Sequence, residues 1–378
     1  MDDFTRLLDE GYDVQLIDGF LVVDDVPYVT TDKTVQRGRL VMPAALAGDV
    51  LTTPPDHTTH FGGAVPCDSD GRPLSKVINS PQCNEFLPGL STDFYFSAKP
   101  PAGNYANYYD KVITYVELLA RWARVIDPRA TARTYPVHEA AVDGSPFVYR
   151  DSASSRAGIT GVNKVFTGLK IAIVGLGGTG SHILDLVAKT PVAEIHLYDG
   201  DVFLNHNAFR APGAANLLDL RGKPNKAEYW SAQYSRLKRG IFPHPVFFER
   251  DTVAEVADFD FVFLALDDGS DREGIVGALE EAGVSFIDVG MGVTDTGSGL
   301  TGLLRVSAST AERRIRIPGG TAPDEYGRNI QISDLNALNA ALAVVQWKRL
   351  LGFYADMATD AAVFAYPVSD NTITVLSR

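Results

Sequence analysis

The sequence predicts an α/β protein in which a doubly wound, mostly parallel sheet domain over residues 151–378 follows a smaller α+β domain over residues 1–150. Three observations predict it. Residues 169–181, Leu-Lys-Ile-Ala-Ile-Val-Gly-Leu-Gly-Gly-Thr-Gly-Ser, pass from an apolar strand through closely spaced glycines into a helix pattern carried by Ile183, Leu184, Leu186 and Val187. Beyond them, apolar runs of strand length alternate with helical patterns, as in parallel βαβ units. Before them there is no such alternation, and Pro54-Pro55, Gly62-Gly63, Pro66, Gly71 and Pro73 mark ordered loops.

The elements follow in order. After a short helix, β-type runs at Tyr12–Ile17, Phe20–Val23 and Arg39–Met42 are separated by turn residues. A helix is expected over Tyr108–Val125, where Val112, Tyr115, Val116, Leu119, Trp122 and Val125 recur at helical spacing. Asp151–Gly168, rich in Ser, Ala, Gly and Thr, reads as a connector. Strands are then expected at Lys170–Val174, Glu194–Tyr198, Val246–Glu249, Phe259–Leu266 and Ser285–Val289, and two more at Leu303–Ser307 and Arg313–Ile317. A long helix runs from about Asp334 to Phe353, and a hairpin centres on Ser369-Asp370-Asn371.

Composition narrows the function classes. The 378 residues are 45% hydrophobic and 21% charged, as in ordinary globular proteins. The net charge of −13, from 34 basic and 47 acidic residues, argues against a sequence-independent nucleic-acid binder. No secretory leader or membrane-length apolar run is seen, and the two cysteines, Cys67 and Cys83, make no disulfide framework. Cytoplasm is therefore the expected compartment, without a membrane partner. Two cysteines also exclude a four-cysteine zinc site within the chain.

The chemistry sits in the second half. Glycines at Gly175, Gly177, Gly178 and Gly180 let the chain turn sharply and approach a phosphate, which the following helix N-terminus favours. Asp199, at the end of the second strand, can accept hydrogen bonds from ribose hydroxyls, in NAD or in ATP alike. Asp201 is as well suited to capping the next turn as to approaching a nucleotide. Asn207 and Arg210 can orient and neutralise phosphate oxygens, and Lys226 supplies a mobile positive charge. Asp267, at the end of the fourth strand, is placed to hold Mg²⁺ between phosphates, with Arg272 shortly after. Taken singly, the loop Asn and Arg read as structural, the lysine as solvated surface and Asp268 as a helix cap. Their joint order along one Rossmann-like unit is the stronger signal.

These residues, Gly175-Leu-Gly-Gly-Thr-Gly180, Asp199-Gly-Asp201, Asn207-Ala-Phe-Arg210, Lys226 and Asp267-Asp268-Gly-Ser-Asp-Arg272, closely resemble the ThiF/MoeB family of ubiquitin-activating-type adenylyltransferases over roughly residues 155–355. The resemblance implies a Rossmann-like ThiF-type domain that binds ATP with its glycine loop and first acidic residue. It implies phosphate contacts from Asn207, Arg210 and Lys226, and Mg²⁺ on Asp267. Arg156 best matches the family's arginine ahead of the first strand, which often reaches the partner subunit of a homodimer. The implied reaction is attack by the C-terminal, Gly-type carboxylate of a small ubiquitin-like protein on the α-phosphate of ATP, giving an acyl-adenylate and pyrophosphate. Such chemistry needs positioning and charge neutralisation more than acid–base catalysis.

Two departures stand out. Arg210 is followed by Ala211 where the family motif commonly has Gln, and no cysteine follows Cys83, so the adenylating half has no thiol for a thioester. The acyl group then passes to a separate acceptor or to a thiol of residues 1–150, with Cys67 the better internal candidate than Cys83. A buried, inert role is the commoner one for either cysteine, and Asp68 and Asp70 do not favour a thiolate at Cys67. The stretch His57–Arg72 and the helix after it are similar to N-terminal domains fused to bacterial ThiF-type proteins in ubiquitin-like conjugation operons. That fits either a ubiquitin-conjugating-enzyme-like module or a docking module for the ubiquitin-like partner. His57 and His60, three apart on a strand, face opposite sides and read as ordinary hydrogen-bonding histidines. Alternative readings are a catalytically silent ThiF-like scaffold and an NAD-dependent oxidoreductase. For the latter no hydride-site pattern is found.

Overall fold

Buried and more exposed side chains alternate along Thr58–Gly62 and through Leu90–Asp93, as in a sheet with one well-covered face. The computed structural model describes residues 2–48, 50–139, 145–266, 272–315, 330–355, 362–370 and 372–377, and divides into two units, Met1–His138 and Glu139–Arg378. In the first, α1 (Asp3–Asp9) precedes β1 (Asp13–Ile17), β2 (Phe20–Val29), β3 (Val35–Pro43), β4 (Thr58–Gly62), β5 (Ile78–Leu87) and β6 (Leu90–Ser97). These strands pair antiparallel in the order β1-β2-β3-β4-β6-β5. Leu21 and Val23 of β2 point into a core with Leu40, Met42, Phe61 and Phe96, while Val22 turns to the other face with Val41. Over the first face lies α2 (Tyr108–Ile126), burying Tyr108, Val112, Tyr115, Val116 and Leu119, so the expected helix is present. Asn107 caps it, its side chain accepting the Asp110 N–H at 2.7 Å.

In the second unit the sequence alternation becomes a parallel sheet. Its strands are β7 (Lys170–Val174), β8 (Glu194–Tyr198), β9 (Ile241–His244), β10 (Phe261–Leu264), β11 (Phe286–Asp295), β12 (Leu300–Ser309), β13 (Val363–Pro367) and β14 (Thr374–Ser377). The order is β9-β8-β7-β10-β11-β12-β13-β14, parallel from β9 to β11 and antiparallel beyond. Past the exposed Lys170, the central strand β7 is wholly apolar because both of its faces are covered. Ile171 and Ile173 enter one core with α4 (Gly178–Val187), α7 (Lys226–Tyr234) and Trp347 of α9 (Ser333–Leu350). Ala172 and Val174 enter the opposite core with Tyr198, Phe248 and α8 (Arg272–Glu281). Among the described residues, no helix is long and apolar enough to cross a membrane.

Two expected strands differ. Val246–Glu249 is irregular, and the chain instead pairs Ile241–His244 with β8. This is the sheet's edge, where Pro243 loses no ladder bond that a neighbour needs. Residues 313–315 of the expected Arg313–Ile317 strand are not in a strand, and the remainder lies outside the described residues. Asn371 of the expected hairpin also lies outside them, although the β13–β14 pairing around it is antiparallel.

Candidate functional site

The order of strands reverses between β7 and β10, and the crevice beyond their carboxyl ends is where open α/β sheets bind ligands. A cavity of about 600 Å³ opens there. Gly175, Gly177, Gly178, Asp199, Arg210 and Lys226 all line it, so one crevice gathers residues spread through the sequence.

The glycine loop is shaped by close approaches. Gly175 has φ +84°, and a Cβ on it would lie 2.4 Å from the Ala265 carbonyl oxygen. A Cβ on Gly180 would lie 1.8 Å from the Gly175 carbonyl oxygen. The chain can therefore fold tightly against β10 only with hydrogen at both positions. Gly177 begins α4 with no side-chain cap. The first N–H groups of the helix thus have no intrahelical acceptor and stand at the cavity with the positive end of the dipole.

Asp199 and Lys226 form the charged floor. The Asp199 carboxylate accepts the N–H of Leu176 at 2.7 Å and of Asp201 at 2.9 Å, tying the glycine loop to the end of β8. Burial pushes its carboxyl above the ordinary value, against the opposing pull of Lys226 and these N–H donors. Lys226 Nζ lies 2.8 Å from Asp201 Oδ2 and 3.5 Å from Asp199 Oδ2. Asn225 sets this geometry. Its carbonyl caps α7 by accepting the Ala227 N–H, and its amide donates to the backbone oxygens of Asp199 and Asp201. Asn225 and Lys226 are thereby held to β8 as α7 starts.

Arg210 brings a second cation, and its Nε is buried without a hydrogen-bond partner. An anion in the cavity would satisfy that donor. Asn207 is placed differently: its side chain is buried, accepts the Leu204 N–H at 2.8 Å and caps α5 (Asn205–Ala208), positioning the turn that carries Arg210. Arg156 is exposed at the end of α3 (Ser152–Arg156). Asp267 lies outside the described residues, and among those described no group of three His, Cys, Asp or Glu residues could hold a metal. Mg²⁺ commonly takes only one or two protein carboxylates beside phosphate oxygens.

Several site residues escaped sequence reasoning. Asn336 and Asn339, on the buried stripe of α9, face the loop and the cavity. Asn336 Oδ1 accepts the Thr179 hydroxyl at 2.9 Å. Asn339 donates to the Gly290 carbonyl at 3.1 Å, while its own Oδ1 is buried without a partner. Two asparagines three apart on an otherwise apolar helix face were the available signal. Arg272, which the sequence itself marks shortly after Asp267, lines the cavity too, clamped on Asp288 through Nε at 2.7 Å and through Nη2.

The first unit offers no open thiol at Cys67. The residue is buried with Val29, Ala123 and Ala130, and burial, then Asp68, pushes its thiol pKa up. Cys67 thus has the buried role that is commoner for a free cysteine, whereas Cys83 is exposed. His57 Nε2 meets Ser97 Oγ and His60 Nδ1 meets the Asn84 amide, so both histidines are hydrogen-bonded.

Residues 149–309 match the model of the ThiF family, and residues 2–152 match a domain of unknown function, DUF6791. No curated protein sequence matches the chain. Among solved structures, E. coli MccB with ATP aligns with a TM-score of 0.48 and 16% identity over 57% of this chain and 66% of that one. E. coli MccB with selenomethionine MccA aligns at 0.49 and 16% over 60% and 71%. Selenomethionine PaaA aligns at 0.43 and 16% over 59% and 78%. The chain thus spans just under two thirds of the first of these proteins.

Proposed function

Because a ThiF-family domain occupies residues 149–309, we propose that this chain adenylates a peptide or protein carboxylate with ATP, and that its substrate is the C-terminus of a small ubiquitin-like protein. The observation that carries the reading is the convergence of an uncapped helix N-terminus, a buried carboxylate and two cations, Arg210 and Lys226, on one cavity. The N–H groups of α4 receive phosphate oxygens, and Asp199 accepts from the ribose hydroxyls. A carboxylate oxygen of the substrate attacks the α-phosphorus, the bond to the bridging oxygen breaks, and pyrophosphate leaves. The attacking group is already deprotonated, so no general base is needed. Arg210 and Lys226 neutralise the charge that gathers on the departing phosphates. Lys226 can turn to them because its nearer partner, Asp201, is at the surface. Mg²⁺ on Asp267 would add charge neutralisation between the phosphates.

Arg156 completes the site across a homodimer in this reading, and residues 1–150 serve as a docking or conjugating-enzyme-like module. The acyl group goes to a separate acceptor, in keeping with the burial of Cys67. The test is ATP–pyrophosphate exchange with a small protein ending in Gly-Gly. Exchange dependent on that protein and on Mg²⁺ is expected, and its loss in Asp267→Ala. Mixing Arg156→Ala with Asp267→Ala should restore part of it. ATP binding without exchange, whatever carboxylate is offered, would favour the silent scaffold.

A further inference from the structure

Phe247 is 64% exposed, a large apolar ring left in water at the rim of the cavity. Its neighbour explains the placement. Phe248 is buried against Tyr198, edge to face with ring centroids 5.2 Å apart, and packs with Val253 and Val256. Phe248 anchors the segment and leaves Phe247 to the cavity side. Gly200 makes room for it: a Cβ there would lie 2.7 Å from the Phe247 ring. The ring therefore lies over the backbone directly after Asp199, the carboxylate read as the ribose acceptor. A flat apolar face beside the ribose position and open to the cavity suits a nucleotide base, because every base offers a π-face.

We propose that Phe247 is the stacking platform for the purine base, and that Gly200 is glycine in order to seat it. The proposal rests on the ATP-binding reading above and adds to it the residue that holds the base rather than the phosphates. Stacking area favours a purine over the smaller pyrimidine, so ATP should bind more tightly than CTP through this ring.

Binding of ATP and of inorganic tripolyphosphate, each with Mg²⁺, separates base from phosphate recognition. Phe247→Ala should weaken ATP roughly five- to a hundredfold, the effect of losing one base–aromatic stack, and leave tripolyphosphate unchanged. Phe247→Trp should keep ATP affinity, and its added indole fluorescence should fall with ATP but not with tripolyphosphate. Gly200→Ala should weaken ATP while Phe247 is present and have little further effect in Phe247→Ala, since the two act through one contact. Unchanged ATP affinity in Phe247→Ala would overturn the proposal, as would equal losses for both ligands. If the unsubstituted chain bound tripolyphosphate but not ATP, the base platform would fail while the anion site stood. If it bound neither, the ATP reading itself would fail and this inference with it.

Discussion

Replacing Lys226 by Met keeps a stem of similar length and removes one charge from a nearly dry site. The Lys226 side chain is 9% exposed and that of Asp199 7%, whereas Asp201 is 58% exposed. The loss therefore falls on Asp199, since water screens Asp201. Stripping one partner from a buried ion pair typically costs about 3–5 kcal/mol. Asp199 keeps the N–H donors of Leu176 and Asp201, so the lower end, about 3 kcal/mol, is expected. For a unit of this size that lowers the melting temperature by roughly 6–12 °C.

The pH dependence identifies the cause. The folded-state pKa of Asp199 is already above its ordinary value, and without Lys226 it rises further. The folded variant then holds a proton that the unfolded chain releases in the ordinary carboxylate range. Its stability must fall as pH rises from that range to the new folded value, with the full loss standing above it. Thermal unfolding of parent and variant should differ more near pH 8 than near pH 5. Equal differences at both pH values would refute the buried-carboxylate account. Pyrophosphate exchange, measured well below the melting temperature, should drop by about a hundredfold or more, because a fixed charge in a dry site acts on the transition state.

Gly180→Ala places a methyl group 1.8 Å from a backbone oxygen and should lose at least about 1–3 kcal/mol in thermal unfolding, whereas Gly177→Ala, with nothing within 4 Å, should melt like the parent. Lys238 is buried, and that burial lowers its pKa to about 7, so the unfolded chain binds one more proton between about pH 7 and the ordinary 10.5. Stability should rise with pH across that window, and the slope should vanish in Lys238→Met. Iodoacetamide followed by mass spectrometry should modify Cys83 in the folded protein and Cys67 only after unfolding. Native-rate labelling of Cys67 would restore it as an acyl acceptor.

What the sequence made legible is what local physics decides. The β7 strand is apolar at every position after Lys170 because both faces are buried there, and its bounds, like those of β8, match the expected ones. The glycine loop was legible because turn and helix start follow each other directly. Strand β2 was read only to Val23, since Asp24 and Asp25 interrupt the apolar run; the chain absorbs them in a register shift, with Asp25 at φ +56°, and continues to Val29. Contacts between distant segments left fainter traces. Thr179 and Asn336 meet across 157 residues, and nothing near either marks the other. The stretch Val246–Glu249 shows how a correct local signal can be misassigned. Two adjacent phenylalanines read as strand, yet only Phe248 enters a core, and Phe247 stays in water. Single apolar side chains at a surface are common, but Phe247 differs in lying over Gly200 on the wall of the cavity that Asp199 lines. At the rim of this cavity, beside Asp199, the partner with the right shape is a base.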